Sequence, residues 1–220
     1  MVDALVLFDV DGTLVDGEAQ ICDTMADAFL AAGRAAPERW AIRAVIGLSL
    51  PEMVERLASG RDAAEIDKIV AGYRLRFADA MDRMEDPPIY TGAERAIRRL
   101  RAADVTLGLA TGKSRLGLAP VLDATGWHRY FATVQCADDN PSKPDPTMIR
   151  KALTATGVDP ARCFMVGDTL FDMRMAREAG VRAIGVSWGY QPASLLTEGG
   201  AEAVADDFHA LVDLLLEKIA

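Results

Sequence analysis

Short apolar segments alternate with amphipathic segments of helical spacing from Thr91 to the end of the chain. This alternation is typical of βαβ units, whose parallel strands are covered by helices on both faces. The apolar segment 4–8 adds a strand near the start. We therefore predict an α/β fold built on a parallel sheet. The predicted strands span residues 4–8, 105–110, 131–134, 163–166, 183–186 and 203–204, and the predicted helices span residues 93–103, 117–125, 146–157, 171–180 and 208–218.

The segment 16–86 differs from the rest because it contains no convincing strand. Apolar residues recur there at helical spacing in two stretches, and glycines and prolines separate shorter helices between them. Pro87 and Pro88 close the segment. We predict a helical cap domain at 16–86, placed as a lid on an α/β core formed by 1–15 and 87–220. The apolar positions are Ile21, Met25, Ala28, Phe29 and Ala32, then Ile66, Ile69, Tyr73, Phe77, Ala80 and Met84.

Two aspartates follow the first predicted strand directly, in the sequence Phe-Asp-Val-Asp-Gly-Thr-Leu at residues 8–14. In a strand, positions i and i+2 share a face, so Asp9 and Asp11 are expected to point the same way. The two carboxylates then repel each other unless a cation or a shared proton relieves the repulsion. Thr13 adds a hydroxyl close by. The alternative is an ordinary strand that ends in an Asp-Gly turn at Gly12.

Polar residues follow three further strands or precede the next helix. Ligands of open parallel sheets bind beyond the carboxyl ends of the strands, so these residues are expected to meet at one rim. Taken singly, each has an ordinary explanation: a solvated loop lysine at 143, helix caps at 168 and 172, and a turn at 111–112. The candidates are Thr111, Gly112, Lys143, Asp168 and Asp172.

This set of side chains is suited to metal-assisted phosphoryl transfer. Several carboxylates at one rim favour a hard cation bound through oxygen, such as Mg²⁺. Asp9 is then the nucleophile, and Asp11 is the acid that protonates the leaving group and the base that activates water. Thr111 and Lys143 hold the phosphoryl oxygens. Whether Lys113 also contacts substrate is left open.

The composition of the chain argues against several classes of binding partner. The chain has 33 acidic and 24 basic residues and a formal net charge of −9, which argues against nucleic acid or an acidic membrane surface. No apolar run approaches the ~18 residues of a membrane span, and the start does not resemble a signal peptide. The widely spaced cysteines Cys22, Cys136 and Cys163 predict reduced thiols. We expect a cytoplasmic monomer or homodimer that acts on a small phosphorylated metabolite.

The four ordered motifs resemble those of the haloacid dehalogenase-like hydrolase superfamily. They are residues 9–13, residues 111–112, Lys143 and residues 167–172, and the resemblance covers essentially the whole chain. It implies a Rossmann-like core and, between the first and second motifs, a four-helix cap of the first cap class.

The resemblance also implies a role for each matching residue. Asp9 matches the nucleophile, which forms an aspartyl-phosphate. Asp9 also matches a ligand of the metal. Asp11 matches the acid/base, whose backbone carbonyl binds the metal. The phosphate-binding positions are matched by Thr111, together with Gly112, and by Lys143. Asp168 matches a direct Mg²⁺ ligand and Asp172 a second acidic position, with Thr13 as a supporting residue.

Sequence differences between branches of the superfamily limit the reactions that this chain is expected to catalyse. Asp11 disfavours the branches that cleave C–halogen and C–P bonds, and Leu50 after Ser49 disfavours the sugar-phosphate mutases. Segments 186–192 and 201–207 resemble the phosphoglycolate phosphatase branch, which implies 2-phosphoglycolate as a substrate. The alternatives are a mutase or phosphotransferase that uses the same aspartyl-phosphate, and a non-catalytic metal-binding regulatory module.

Three positions of the predicted cap are further candidates for a role in substrate contact or in the hinge. Arg43 and Ser49 are candidates for contact with the leaving group, with a surface arginine and a helix-capping serine as the alternatives. Gly17 stands where relatives commonly have serine and is expected to loosen the first hinge of the cap.

Overall fold

The computed structural model describes residues 3–58, 60, 62–82 and 86–220. Its sheet has six parallel strands in the order β3-β2-β1-β4-β5-β6. The parallel α/β architecture predicted from the sequence is confirmed. The strands are Leu5–Phe8 (β1), Thr106–Ala110 (β2), Phe131–Gln135 (β3), Cys163–Gly167 (β4), Arg182–Val186 (β5) and Ala203–Ala205 (β6).

Helices cover both faces of this sheet, as the side chains of β1 illustrate. Val6 and Phe8 belong to one apolar cluster and Leu5 and Leu7 to another, because successive strand residues point to opposite faces. The first cluster contains residues of the helices Ala93–Ala102 and Phe208–Ile219, and the second contains residues of the helices Thr147–Thr156 and Leu170–Ala179. The helices of this part are Ala93–Ala102 (α5), Arg115–Thr125 (α6), Thr147–Thr156 (α7), Leu170–Ala179 (α8), Ala193–Gly199 (α9) and Phe208–Ile219 (α10).

Between β1 and α5 the chain forms helices that surround a separate apolar cluster, to which Phe171 and Tyr190 of the α/β part also belong. This cluster includes Ile21, Phe29, Ile69 and Tyr73, which the helical spacing had marked, whereas Met84 lies outside the described residues. No helix of the described segments is both long enough and apolar enough to cross a membrane. The four helices are Glu18–Ala31 (α1), Arg39–Val45 (α2), Leu50–Leu57 (α3) and Ala63–Asp82 (α4).

The helical segment begins and ends at neighbouring points of the α/β part. The backbone N–H of Asp16 donates to the carbonyl of Pro88 at 2.8 Å, and that of Tyr90 donates to the carbonyl of Leu14 at 3.0 Å. The helices are therefore held beside the carboxyl end of β1, where Asp9 and Asp11 lie. The exact domain boundaries at 16 and 86 stay a prediction.

Candidate active site

Three buried aspartates meet beyond the carboxyl ends of two neighbouring strands. Asp9 follows β1, Asp168 follows β4, and Asp172 lies in the first turn of α8. One carboxylate oxygen from each lies within 4.8 Å of the others, and none of the three residues is more than 1% exposed. Burial raises the pKa of Asp9 to about 7, and it raises the pKa of Asp168 well above its usual range. Three carboxylates in this position need positive charge nearby.

Lys143 supplies part of that charge from the loop that precedes α7. Its Nζ lies 2.6 Å from Oδ1 of Asp172 and 2.9 Å from Oδ1 of Asp9, and the residue is 1% exposed. Burial by itself lowers the pKa of Lys143, but the charges of Asp172 and Asp9 outweigh it and raise that pKa. One ammonium group does not balance three carboxylates.

The free oxygens of the cluster fit a divalent cation. Both carboxylate oxygens of Asp9 are buried, and apart from the Lys143 ammonium, 2.9 Å from Oδ1, no side chain of a described residue is placed to satisfy them. Asp168 is oriented by two donors, the hydroxyl of Thr13 at 3.0 Å and the backbone N–H of Tyr190 at 2.8 Å. Buried carboxylate oxygens held in place in this way are the ligands that Mg²⁺ prefers.

Asp11 is not a member of this carboxylate group but lies beside it. Its two oxygens accept from Nζ of Lys113 at 2.9 and 2.7 Å. The same Nζ lies 5.2 Å from the ring centroid of Phe77, on α4. Lys113, left open by the sequence, therefore contacts both the proposed acid/base and the helical segment. The metal contact expected from the Asp11 backbone carbonyl stays a prediction.

A cleft of about 550 Å³ lies between the strand ends and the helical segment. Its volume is typical of pockets for small molecules. Asp9, Asp11, Thr111 and Gly112 line it from the α/β part, together with Lys113. The first and second motifs thus meet at one cleft, whereas Lys143, Asp168 and Asp172 do not belong to its lining.

The two cap candidates lie in different places. Ser49 lines the cleft, and its backbone N–H donates to Oγ of Ser142 at 2.8 Å. Its own hydroxyl makes no capping hydrogen bond to α3. Arg43 is exposed, donates to the carbonyl of Gly189 at 3.4 Å and does not belong to the lining of the cleft. Its position favours a link between cap and core over a substrate contact.

Asp172 is the helix cap that its sequence position allowed as the ordinary explanation, and it also contacts Lys143. Its Oδ2 accepts from the backbone N–H of Thr169 at 3.1 Å, and its own backbone N–H donates to the Thr169 hydroxyl at 3.4 Å. These two reciprocal hydrogen bonds form a capping box at the start of α8. Oδ1 of Asp172 accepts from Lys143. The helix cap fixes the carboxylate that holds the buried lysine.

Two aromatic residues support the site although the sequence assigned them no role. Tyr190 donates its backbone N–H to Asp168, and its hydroxyl accepts from the backbone N–H of Gly17 at 2.9 Å. Trp188 donates its indole N–H to the carbonyl of Thr13 at 3.1 Å. The only sequence signal was the resemblance of segment 186–192 to one branch of the superfamily.

Gly112 lies against the cap loop so closely that a side chain does not fit. A Cβ added there would stand 2.5 Å from the carbonyl oxygens of Gly47 and Leu48. We expect Gly112→Ala to push this loop away from the phosphate-binding turn and to lower kcat/KM by roughly 10- to 100-fold. Steady-state kinetics test this. Gly72→Ala, on helix α4 where the added Cβ meets only the end of a flexible arginine, should remain near wild type, and equal kinetics for the two variants would contradict the prediction.

Gly17 lies directly beside the carboxylate of Asp11. A Cβ added there would stand 2.6 Å from Oδ1 of Asp11, so the effect of a side chain reaches the acid/base as well as the hinge. We expect Gly17→Ser to displace Asp11 and lower kcat by about tenfold. Gly17→Ala, which adds the Cβ without the hydroxyl, should show the same loss. Unchanged kinetic constants in both variants would rule this out.

The sequence model of the haloacid dehalogenase-like hydrolase family matches residues 6–186. A phosphoglycolate phosphatase from Agrobacterium fabrum is 32% identical over 98% of this chain and 93% of its own length. One from Pseudomonas fluorescens is 31% identical over 98% of this chain and 81% of its own length. A solved structure described as a predicted phosphatase from Clostridium acetobutylicum has the same fold, with a TM-score of 0.87 at 22% identity over 97% of this chain and 98% of that one.

Proposed function

The chain belongs to the haloacid dehalogenase-like hydrolase family, and on that premise we propose that it is a Mg²⁺-dependent phosphatase. In this proposal it hydrolyses a small phosphomonoester through an aspartyl-phosphate formed on Asp9. The observation that carries the proposal is the buried group of Asp9, Asp168 and Asp172 with Lys143, which lies at the base of a cleft that Asp11 also lines.

Asp9 performs the first step. One of its oxygens attacks phosphorus, the bond from phosphorus to the ester oxygen breaks, and the phosphoryl group is left on the carboxylate. Asp9 and Asp168 would hold the metal, which when bound supplies positive charge that offsets the repulsion between carboxylate and phosphoryl group. Thr111 and the ammonium of Lys143 stabilise the phosphoryl oxygens as their charge is redistributed.

Asp11 moves the protons in both steps. In the first, it donates a proton to the ester oxygen so that the leaving group departs as an alcohol. In the second, it accepts a proton from the water that attacks the aspartyl-phosphate, which releases inorganic phosphate and restores Asp9. Its place on the wall of the cleft beside Asp9 supports this assignment.

We propose 2-phosphoglycolate as the first substrate to test, because curated relatives that match nearly the whole chain carry the name phosphoglycolate phosphatase. The cleft volume of about 550 Å³ is large enough for this compact ester, which supports the proposal. We further propose a cytoplasmic location, supported by three buried cysteines that are unpaired, and a monomer or homodimer, which light scattering would distinguish.

The experiment is an assay of phosphate release by the purified full chain. An aryl phosphate and a panel of small phosphoesters that includes 2-phosphoglycolate are supplied with Mg²⁺ or with a chelator. Release that requires Mg²⁺ is expected. An isomerised sugar phosphate without free phosphate would identify a mutase instead, and metal binding without turnover of any ester would identify a regulatory module.

A further inference from the structure

We propose that Lys113 is the residue that selects the substrate, by binding an anionic group, a carboxylate, on the leaving group of the ester. The inference rests on the proposed phosphatase function and adds the chemical class of its substrate. It concerns the leaving group, of which the residues assigned above contact only the ester oxygen, through Asp11.

The position of Lys113 places a charge at the wall of the cleft. Its side chain is 9% exposed, it lines the cleft, and its ammonium group lies between the carboxylate of Asp11 and the ring of Phe77. Lys143 is fully enclosed and already contacts Asp9 and Asp172. Among the described residues of the lining, Arg74 is the other cationic residue, and it is exposed. Lys113 is thus the enclosed cation among the described lining residues of the cleft.

The proposed reaction separates Asp11 from Lys113. In the structure both oxygens of Asp11 face the ammonium group. To deliver a proton to the ester oxygen, the Asp11 carboxyl group has to turn one of these oxygens toward the substrate. Lys113 would then stay almost buried with only one oxygen of Asp11 as its partner, and incomplete pairing of a buried charge is unfavourable. An anion on the substrate restores the pairing.

Distances favour an anion close to the ester oxygen. Asp11 lies one hydrogen bond from Lys113 and, during proton transfer, one hydrogen bond from the leaving oxygen. Lys113 therefore lies at most about 8 Å from that oxygen, the sum of two hydrogen-bond lengths and the separation of about 2 Å between the two carboxylate oxygens. A carboxylate on the carbon next to the ester oxygen falls within this reach. The apolar ring of Phe77 strengthens the contact by limiting water around the ammonium group.

The test compares two esters of similar size, 2-phosphoglycolate and 2-hydroxyethyl phosphate, which lacks the carboxylate. Wild type, Lys113→Met and Arg74→Met are assayed with both. Lys113→Met is expected to lower kcat/KM for 2-phosphoglycolate about 10- to 100-fold more than for 2-hydroxyethyl phosphate, mainly through KM. Arg74→Met, the same loss of charge on the same cleft, is expected to leave the ratio between the two esters unchanged.

Equal losses for both esters in Lys113→Met would overturn the proposal, since Lys113 would then act through Asp11 or the phosphoryl group. So would a wild type that hydrolyses the two esters equally well, although the phosphatase function would stand. If neither ester is hydrolysed, calorimetric binding of 2-phosphoglycolate to wild type and to Lys113→Met still decides: weaker binding by the variant supports the proposal, and equal or absent binding overturns it. If Lys113→Met does not fold, Lys113→Gln replaces it with the same expectations.

Discussion

Asp9→Asn is expected to abolish phosphate release, with a loss in kcat of about 10⁴-fold or more, the scale seen when a nucleophile is removed. Asparagine has nearly the shape of aspartate, so it fits the same buried position, but its amide does not form an acyl-phosphate. The measurement is kcat for the best ester of the panel. Protein quenched in acid during turnover should also carry phosphate that hydroxylamine removes in wild type and none in the variant.

The stability of Asp9→Asn separates a chemical role from a structural one. Burial raises the pKa of Asp9 to about 7, above its value in the unfolded chain. Its charge therefore lowers the stability of the metal-free fold progressively as the pH rises from about 4 to about 7. Removal of that charge should not reduce the free energy of unfolding at neutral pH in the presence of a chelator.

Asp123→Asn provides the matched control, because it makes the same chemical change on an exposed position of α6. It should retain wild-type activity. Substantial turnover in Asp9→Asn would contradict the aspartyl-phosphate mechanism. A variant of Asp9 that is inactive because it is unfolded would show that the residue is needed for the fold, and the denaturation curve distinguishes that outcome.

The fold was predictable because its signals are local. The central strand Leu5–Phe8, for example, is a continuous apolar run. The ends of the observed strands differ from the predicted ends by one residue at most, as for residues 163–166 against Cys163–Gly167. The resemblance built on four short motifs is confirmed by the family match. Helix α9 was not predicted, because seven residues give little periodicity and its burial depends on a few residues such as Leu196.

The candidate site was predictable as a set of positions but not as a set of pairings. Motifs at strand ends bring Asp9, Thr111 and Asp168 to one rim in any parallel sheet of this order. Which lysine meets which carboxylate depends on tertiary geometry: Lys113 and Asp11 are 102 residues apart, and nothing local relates them. The roles of all these residues in catalysis stay predictions until variants are measured.

Lys143→Met is expected to have the second large effect, because the side chain of Lys143 contributes to both stability and catalysis. Methionine fills similar volume without charge, so the change leaves the three aspartates together without the ammonium group. Loss of one partner from a buried ion pair costs about 3 to 5 kcal/mol of unfolding free energy. We expect that loss in chelator, and a fall in kcat/KM of about 10²- to 10³-fold from the missing contact with the phosphoryl oxygens.

Magnesium should distinguish the electrostatic cause from simple misfit of the new side chain. A cation bound at Asp9 and Asp168 replaces part of the charge that Lys143 provided. Urea denaturation with and without Mg²⁺ should therefore show a larger Mg²⁺-induced rise in unfolding free energy for Lys143→Met than for wild type. Lys68→Met, on an exposed position of α4, should behave as wild type in both media. An equal effect of Mg²⁺ on wild type and Lys143→Met would mean that the lysine and the metal do not share the same carboxylates, and the proposed metal site would have to be placed elsewhere.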